Sequence, residues 1–169
     1  MATINTLEEK MKHGLGVIYD AEHQFLEAQE EMLSQANSQT VKSLLEEHIA
    51  QTEEQIGILE QVYEVIGEEP ERIKCAGAAG IVSEGQKTLK EVSGNPALVD
   101  LAIAGGCAKV EHYEIASYRA LITGAEQTGQ TKVAQLLQQI LQQEEQTVQH
   151  LESSEPMLLQ AAKQQEAAA

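Results

Sequence analysis

Apolar residues recur three and four positions apart in four long blocks of this chain, the spacing of one face of an α-helix. The first stripe is Leu7, Met11, Leu15, Ile18, Tyr19, Phe25, Leu26 and Leu33. The second runs Val41, Leu44, Leu45, Ile56, Leu59, Val62 and Ile66, and His48, Thr52 and Gln55 interrupt it at mid-height. Cys107, Val110, Ile115, Tyr118 and Leu121 carry the third; Val133, Leu136, Leu137, Ile140, Leu141, Val148 and Leu151 carry the fourth.

Local signals bound these blocks. Thr6 with Glu9 forms a capping-box pattern ahead of the first. Asn37 and Ser38 break it, Ser38 is placed to cap the second, and Gly67 is placed to close it. Asn95 followed by Pro96 opens the third, which runs towards Thr128 and stops at Gly129. The fourth starts near Thr131 and is expected to end or kink at Ser153, Ser154 and Pro156. Met157, Leu158 and Leu159 then pack back as one more turn, and residues 160–169 fray. Residues 70–93 are rich in Gly and Ala and predict one or two short helices. The pattern as a whole predicts an all-α fold: a ferritin-like four-helix bundle, one domain over 1–169, with a short-helix crossover between the second and third long helices.

Composition narrows the function. Only 3% of the 169 residues are aromatic and none is Trp, which favours helices over sheets. A net charge of −16 excludes nucleic acid and anionic membranes as partners, since both need a basic face. No apolar run approaches the roughly 18 residues of a membrane span, and no signal peptide opens the chain, so a cytoplasmic location is expected. Cys75 and Cys107 make neither a disulfide nor a zinc pattern and read as buried thiols, which suits a reducing compartment.

The candidate chemistry lies on the stripes themselves. Glu22, His48, the pair Glu111 and Glu114, and Glu144 each replace an apolar residue on an inward face, one set per long helix. An isolated inward Glu usually reaches past the stripe edge to water, and an isolated inward His is usually a hydrogen-bonded core residue. The coincidence on four helices changes that balance, because burying several uncompensated carboxylates costs many kcal/mol. Glu22 lies 15 residues before Asn37, Glu114 15 before Gly129 and Glu144 15 after it, while His48 lies 11 after Asn37. Three levels therefore coincide, and His48 is offset by about one turn. Four carboxylates and one neutral imidazole balance two divalent cations and suit iron or manganese better than a soft metal. His13, His23, His112 and His150 fall off the stripes. Tyr19 and Tyr118 flank the site, where packing is the simplest role and hydrogen bonding stays open.

Several stretches resemble the YciE/YciF family of bacterial ferritin-like stress proteins, relatives of rubrerythrin. They are Ala21-Glu22-His23-Gln24, the His48/Thr52/Gln55 spacing, Lys74-Cys75, all of Lys109–Tyr118, Ala125-Glu126-Gln127, and Glu144 with Thr147. The resemblance implies a di-iron centre, a homodimer and a link to general stress responses. By position, Glu22 resembles the first-helix ligand, Glu111 and Glu114 the Glu-x-x-Glu of rubrerythrin's third helix, and Glu144 the fourth-helix ligand. The usual Glu-x-x-His pairs read here as His48-x-x-Gln51 and Glu144-x-x-Thr147. No Cys-x-x-Cys is present, so electrons would come from an external donor. The expected partners are metal ions and a small oxidant such as oxygen or peroxide, in peroxide reduction or ferrous iron oxidation. A metal-free bundle acting by association is the alternative.

Overall fold

The computed structural model describes residues 3–168. Five helices follow in order: α1 (Leu7–Gln35), α2 (Gln39–Ile66), α3 (Ala76–Val92), α4 (Pro96–Gln127) and α5 (Thr131–Ala168). Their boundaries follow local chemistry. Thr6 and Glu9 close the capping box of α1, and the Ser38 hydroxyl accepts from the Val41 amide to start α2. Asn95 accepts from the amides of Ala97 and Leu98 ahead of Pro96. Gly67 and Gly129 both turn the chain at φ 72°, a left-handed conformation that suits glycine.

The long helices pack α1 on α2, α2 on α5, α4 on α5 and α1 on α4, while α3 lies against α1 and α4. The larger core cluster joins Leu15, Phe25, Leu59, Tyr118, Leu137 and Ile140. A smaller one, around Val41, Leu45, Leu89, Ile103 and Leu151, sits towards the α1–α2 turn. At that end Asp100 of α4 accepts hydrogen bonds from the backbone amides of Asn37 and Ser38, each 2.7 Å long. This buried carboxylate satisfies two amides at the start of α2 and ties that start to the N-terminal turns of α4.

The crossover is one helix of 17 residues, preceded by a non-helical strap over 68–75. Asp20 of α1 anchors the strap: its carboxylate accepts from Arg72 Nε at 2.9 Å and from the Cys75 amide at 2.8 Å. Ile73 donates its amide to Gly16 O at 3.0 Å, and a Cβ on Gly16 would stand 2.7 Å from the Ile73 side chain, so glycine permits this close approach. Cys75 is buried, and its thiol caps α3 by accepting from the Ala78 amide.

One sequence expectation is corrected. α5 neither stops nor turns back at Pro156 but continues to Ala168, so residues 160–168 are helical; Ala169 lies outside the described residues. Leu158 and Ala162 are buried, with Leu158 in the smaller core cluster, whereas Met157 and Leu159 are exposed. Burying a Leu side chain contributes about 2 kcal/mol, which helps offset the helical hydrogen bond that Pro156 cannot donate.

Candidate metal centre

Glu22 of α1, Glu111 and Glu114 of α4, and Glu144 of α5 are at most 2% exposed, and His48 of α2 is 4% exposed. One carboxylate oxygen each from Glu22, Glu114 and Glu144 lies within 4.8 Å of the others. Glu111, one turn away on α4, abuts Glu144 on one side and receives His48 Nε2 on the other. The five side chains thus form one continuous cluster drawn from four helices.

The offset of His48 has a structural explanation. Asn37 Nδ2 donates to Pro96 O, so α4 begins at the end of the bundle where α1 and α2 are joined. Glu111 therefore lies nearer that end than Glu114, as does His48 relative to the other glutamates. The one-turn displacement of His48 matches the i, i+3 spacing on α4, and His48 meets Glu111 rather than the Glu22–Glu114–Glu144 group.

Electrostatics describe a cluster poorly suited to carrying full negative charge alone. Burial, then the neighbouring Glu144 charge, pushes Glu22 up to about 8. Burial likewise takes Glu111 to about 7 and drives Glu114 and Glu144 well above the ordinary carboxylate range, with the other carboxylates adding to the rise at both. Tyr118 is fully buried and donates its hydroxyl to Glu22 Oε1. Glu22 Oε2 and both oxygens of Glu111 and of Glu144 have no hydrogen-bond partner, the His48–Glu111 approach being a close contact without hydrogen-bond geometry. Every Lys and Arg is exposed except Lys42, which is half-buried, so no buried cation of the chain compensates these groups. Buried, unpartnered oxygens on converging carboxylates are hard donors, and with one imidazole beside them they fit a divalent iron or manganese ion.

Residues around the cluster are polar but neutral. Thr52 donates to Gln29 Oε1 at 3.2 Å, and both are buried. Thr147 donates to Gln51 Oε1 at 2.9 Å, so the two residues standing in the usual histidine slots are bonded to each other. Tyr19 donates to Glu60 at the bundle surface and takes no part in the cluster. His112 and His150 are exposed, and His13 and His23 are half-buried away from it. Sequence reading missed the buried side chains of Gln29, Asp20 and Asp100. Gln29 stands one turn from Phe25, and Asp100 stands at i−3 and i−7 from Ile103 and Cys107, so the stripe periodicity could have found both.

Helices packed around a shared acidic core define the class: an all-α bundle protein with a buried carboxylate–histidine cluster. The family described as "Domain of unknown function (DUF892)" matches residues 6–167, and the chain belongs to it. Protein YciF of Escherichia coli (strain K12) is 32% identical over 145 residues, covering 85% of this chain and 87% of that protein. The crystal structure of the E. coli stress protein YciF superposes with a TM-score of 0.87 at 30% identity, covering 93% of this chain and 99% of that one. YcfI of Rhodopseudomonas palustris, whose description proposes a structural role, gives a TM-score of 0.86 at 34% identity over 88% of this chain and 94% of its own. The resemblance drawn from Lys109–Tyr118 and its companion motifs thus identified the right relatives. Among the described residues no helix is long and apolar enough to cross a membrane.

Proposed function

We propose that this is a cytoplasmic stress-response protein whose bundle holds two divalent ions, iron or manganese, on Glu22, His48, Glu111, Glu114 and Glu144. One observation carries the reading: three buried carboxylates from three helices converge within 4.8 Å, and no Lys or Arg is buried to neutralise them. Four carboxylates and two divalent ions are neutral together, which removes the cost of burying the acids. The E. coli relative's description as a stress protein supports the physiological half of the proposal.

Such ions, when bound, supply one-electron redox chemistry towards a small oxidant such as oxygen or peroxide, or for the oxidation of ferrous iron. The chain's own residues set the conditions. Tyr118 engages Glu22 Oε1 and leaves Oε2 free for a ligand bond. His48 orients the Glu111 carboxylate and offers the cluster's one nitrogen. Burial raises Glu22 to about 8 and Glu111 to about 7, so the protons they retain near neutrality leave as a cation takes their place. With no Cys-x-x-Cys in the chain, the electron donor is external; a homodimer is the assembly that the family resemblance implies. Anaerobic ferrous loading followed by elemental analysis tests the proposal; about two irons per chain are expected. Protein that binds no metal under those conditions overturns it.

The same cluster also favours a second reading, a metal-free bundle acting by association. Tyr118 already donates to Glu22 and His48 lies against Glu111, and protonation would neutralise the rest. Replacing Glu111 and Glu114 together by Gln separates the two. Both readings expect a more stable apo protein, but only the metal reading loses a metal-induced rise in Tm.

A further inference from the structure

The acidic cluster is sealed from solvent, yet two cavities touch His48 at its edge. They differ in size and chemistry. One, of about 30 Å³, lies between α1, α3 and α4 and is walled mainly by Phe25, Met32, Val82, Leu89, Cys107 and Val110. The other, of about 90 Å³, lies between α2 and α5 and is walled by Glu47, Gln51, Gln146, Thr147 and His150 besides His48 and two leucines. A water needs about 10–15 Å³, so the polar cavity has room for several and the apolar one for two or so. Glu47, Gln146 and His150 are exposed, Gln51 and Thr147 are half-buried and His48 is buried, so the polar wall grades from solvent to the cluster.

We propose that this α2–α5 cleft is the path by which a divalent cation reaches the carboxylates; the inference rests on the metal reading above. A hydrated cation cannot cross an apolar constriction without losing its water uncompensated. In the polar cleft each lost water has a replacement: the Glu47 carboxylate and the His150 imidazole at the mouth, then the Gln51 amide and Thr147 hydroxyl. Neither Glu47 nor His150 takes part in an ion pair among the described residues, so both are free to meet an incoming ion. Gln51 Nε2 is buried without a partner, so this wall holds an unmet donor that a water in the cleft satisfies, which suits a hydrated path. His48 ends the path and already touches Glu111, so it delivers the ion directly to the cluster. The Thr147–Gln51 hydrogen bond is then a constriction in the path rather than a defect in a ligand set.

Stopped-flow absorbance of cobalt(II) uptake by the full chain tests this. Glu47→Gln combined with His150→Gln changes two exposed residues, and the fold is checked by circular dichroism. Uptake is expected to slow about tenfold, the scale on which local charge changes association rates, with unchanged final occupancy. Two controls keep the wild-type rate. Glu64→Gln removes one exposed charge elsewhere on α2, and Gly106→Leu fills the apolar cavity, where an added Cβ meets nothing within 4 Å. A double variant that loads at the wild-type rate, or a Gly106→Leu variant that slows instead, overturns the path and leaves the metal reading intact. Wild-type protein that takes up no cobalt overturns both.

Discussion

His48 of α2 holds its Nε2 against the Glu111 carboxylate of α4, and so joins the one imidazole of the core to the acidic group that Glu22, Glu114 and Glu144 complete. Removing the imidazole takes away the one ion-pair contact of Glu111 and leaves it buried beside Glu144. His48→Ala should cost the apo protein about 2–4 kcal/mol, from the cavity and the unpaired acid together. Urea unfolding at pH 7 measures this; a loss below about 1 kcal/mol would show that Glu111 does not depend on His48.

The acidic cluster makes stability fall with rising pH. Glu22 and Glu111 sit at about 8 and about 7 in the folded chain against 4.5 unfolded, so the folded state binds more protons between these values. The stabilisation is complete below about pH 4.5 and is lost as pH rises to about 8. Apo protein should therefore show a Tm that declines across this range, by several degrees per kcal/mol lost. Glu22→Gln should flatten that decline; a Tm that is level or rising from pH 5 to 8 contradicts the assignment.

Cation binding should reverse the trend. Ligation requires the ionised carboxylates, so loading should release protons, measurable by an indicator dye at pH 7 in weak buffer. The rise in Tm on adding ferrous or manganous ion should be larger at pH 8 than at pH 6, because fewer protons compete. Glu144→Gln removes the negative charge of a central ligand and exchanges one of its oxygens for an amide nitrogen, and should abolish most of the rise.

Tyr118→Phe deletes only the hydroxyl that Glu22 accepts. A hydrogen bond to a buried charged group contributes about 1.5–3 kcal/mol, so a loss of that order is expected at pH 8. Since the bond lowers the Glu22 value, its loss should push Glu22 higher still, shifting the pH-dependent decline in stability to more alkaline conditions.

Two substitutions address the fold without touching the cluster. Asp100→Ala leaves the Asn37 and Ser38 amides without their acceptor and should cost about 1–3 kcal/mol. Leu158→Ala should cost about 2–3 kcal/mol if the end of α5 is docked, and almost nothing if it is not. Both variants should bind the same amount of metal as the wild type.

Much of this architecture was legible in the chain because its causes are local. Thr6 and Glu9, Ser38, Asn95 with Pro96, Gly67 and Gly129 act on backbone groups within a few residues of themselves, so three helix starts and two turns follow from spacing alone. Helical periodicity likewise turns Glu22, His48, Glu111, Glu114 and Glu144 inward, and all five are buried. Tertiary packing decided the rest. Counting from loops set His48 against Glu22 and could not pair it with Glu111, because that pairing depends on which end of α4 lies beside the α1–α2 turn. A proline that reads as a stop lies within a helix because Leu158 docks onto residues distant in sequence and Ala162 beyond it is buried too. Asp20 and Asp100 became anchors because their acceptors' partners come from the strap and the α1–α2 turn, at separations of more than fifty residues. Short-range hydrogen bonding and periodicity are properties of a segment, whereas pairing and burial are properties of the surfaces that meet it.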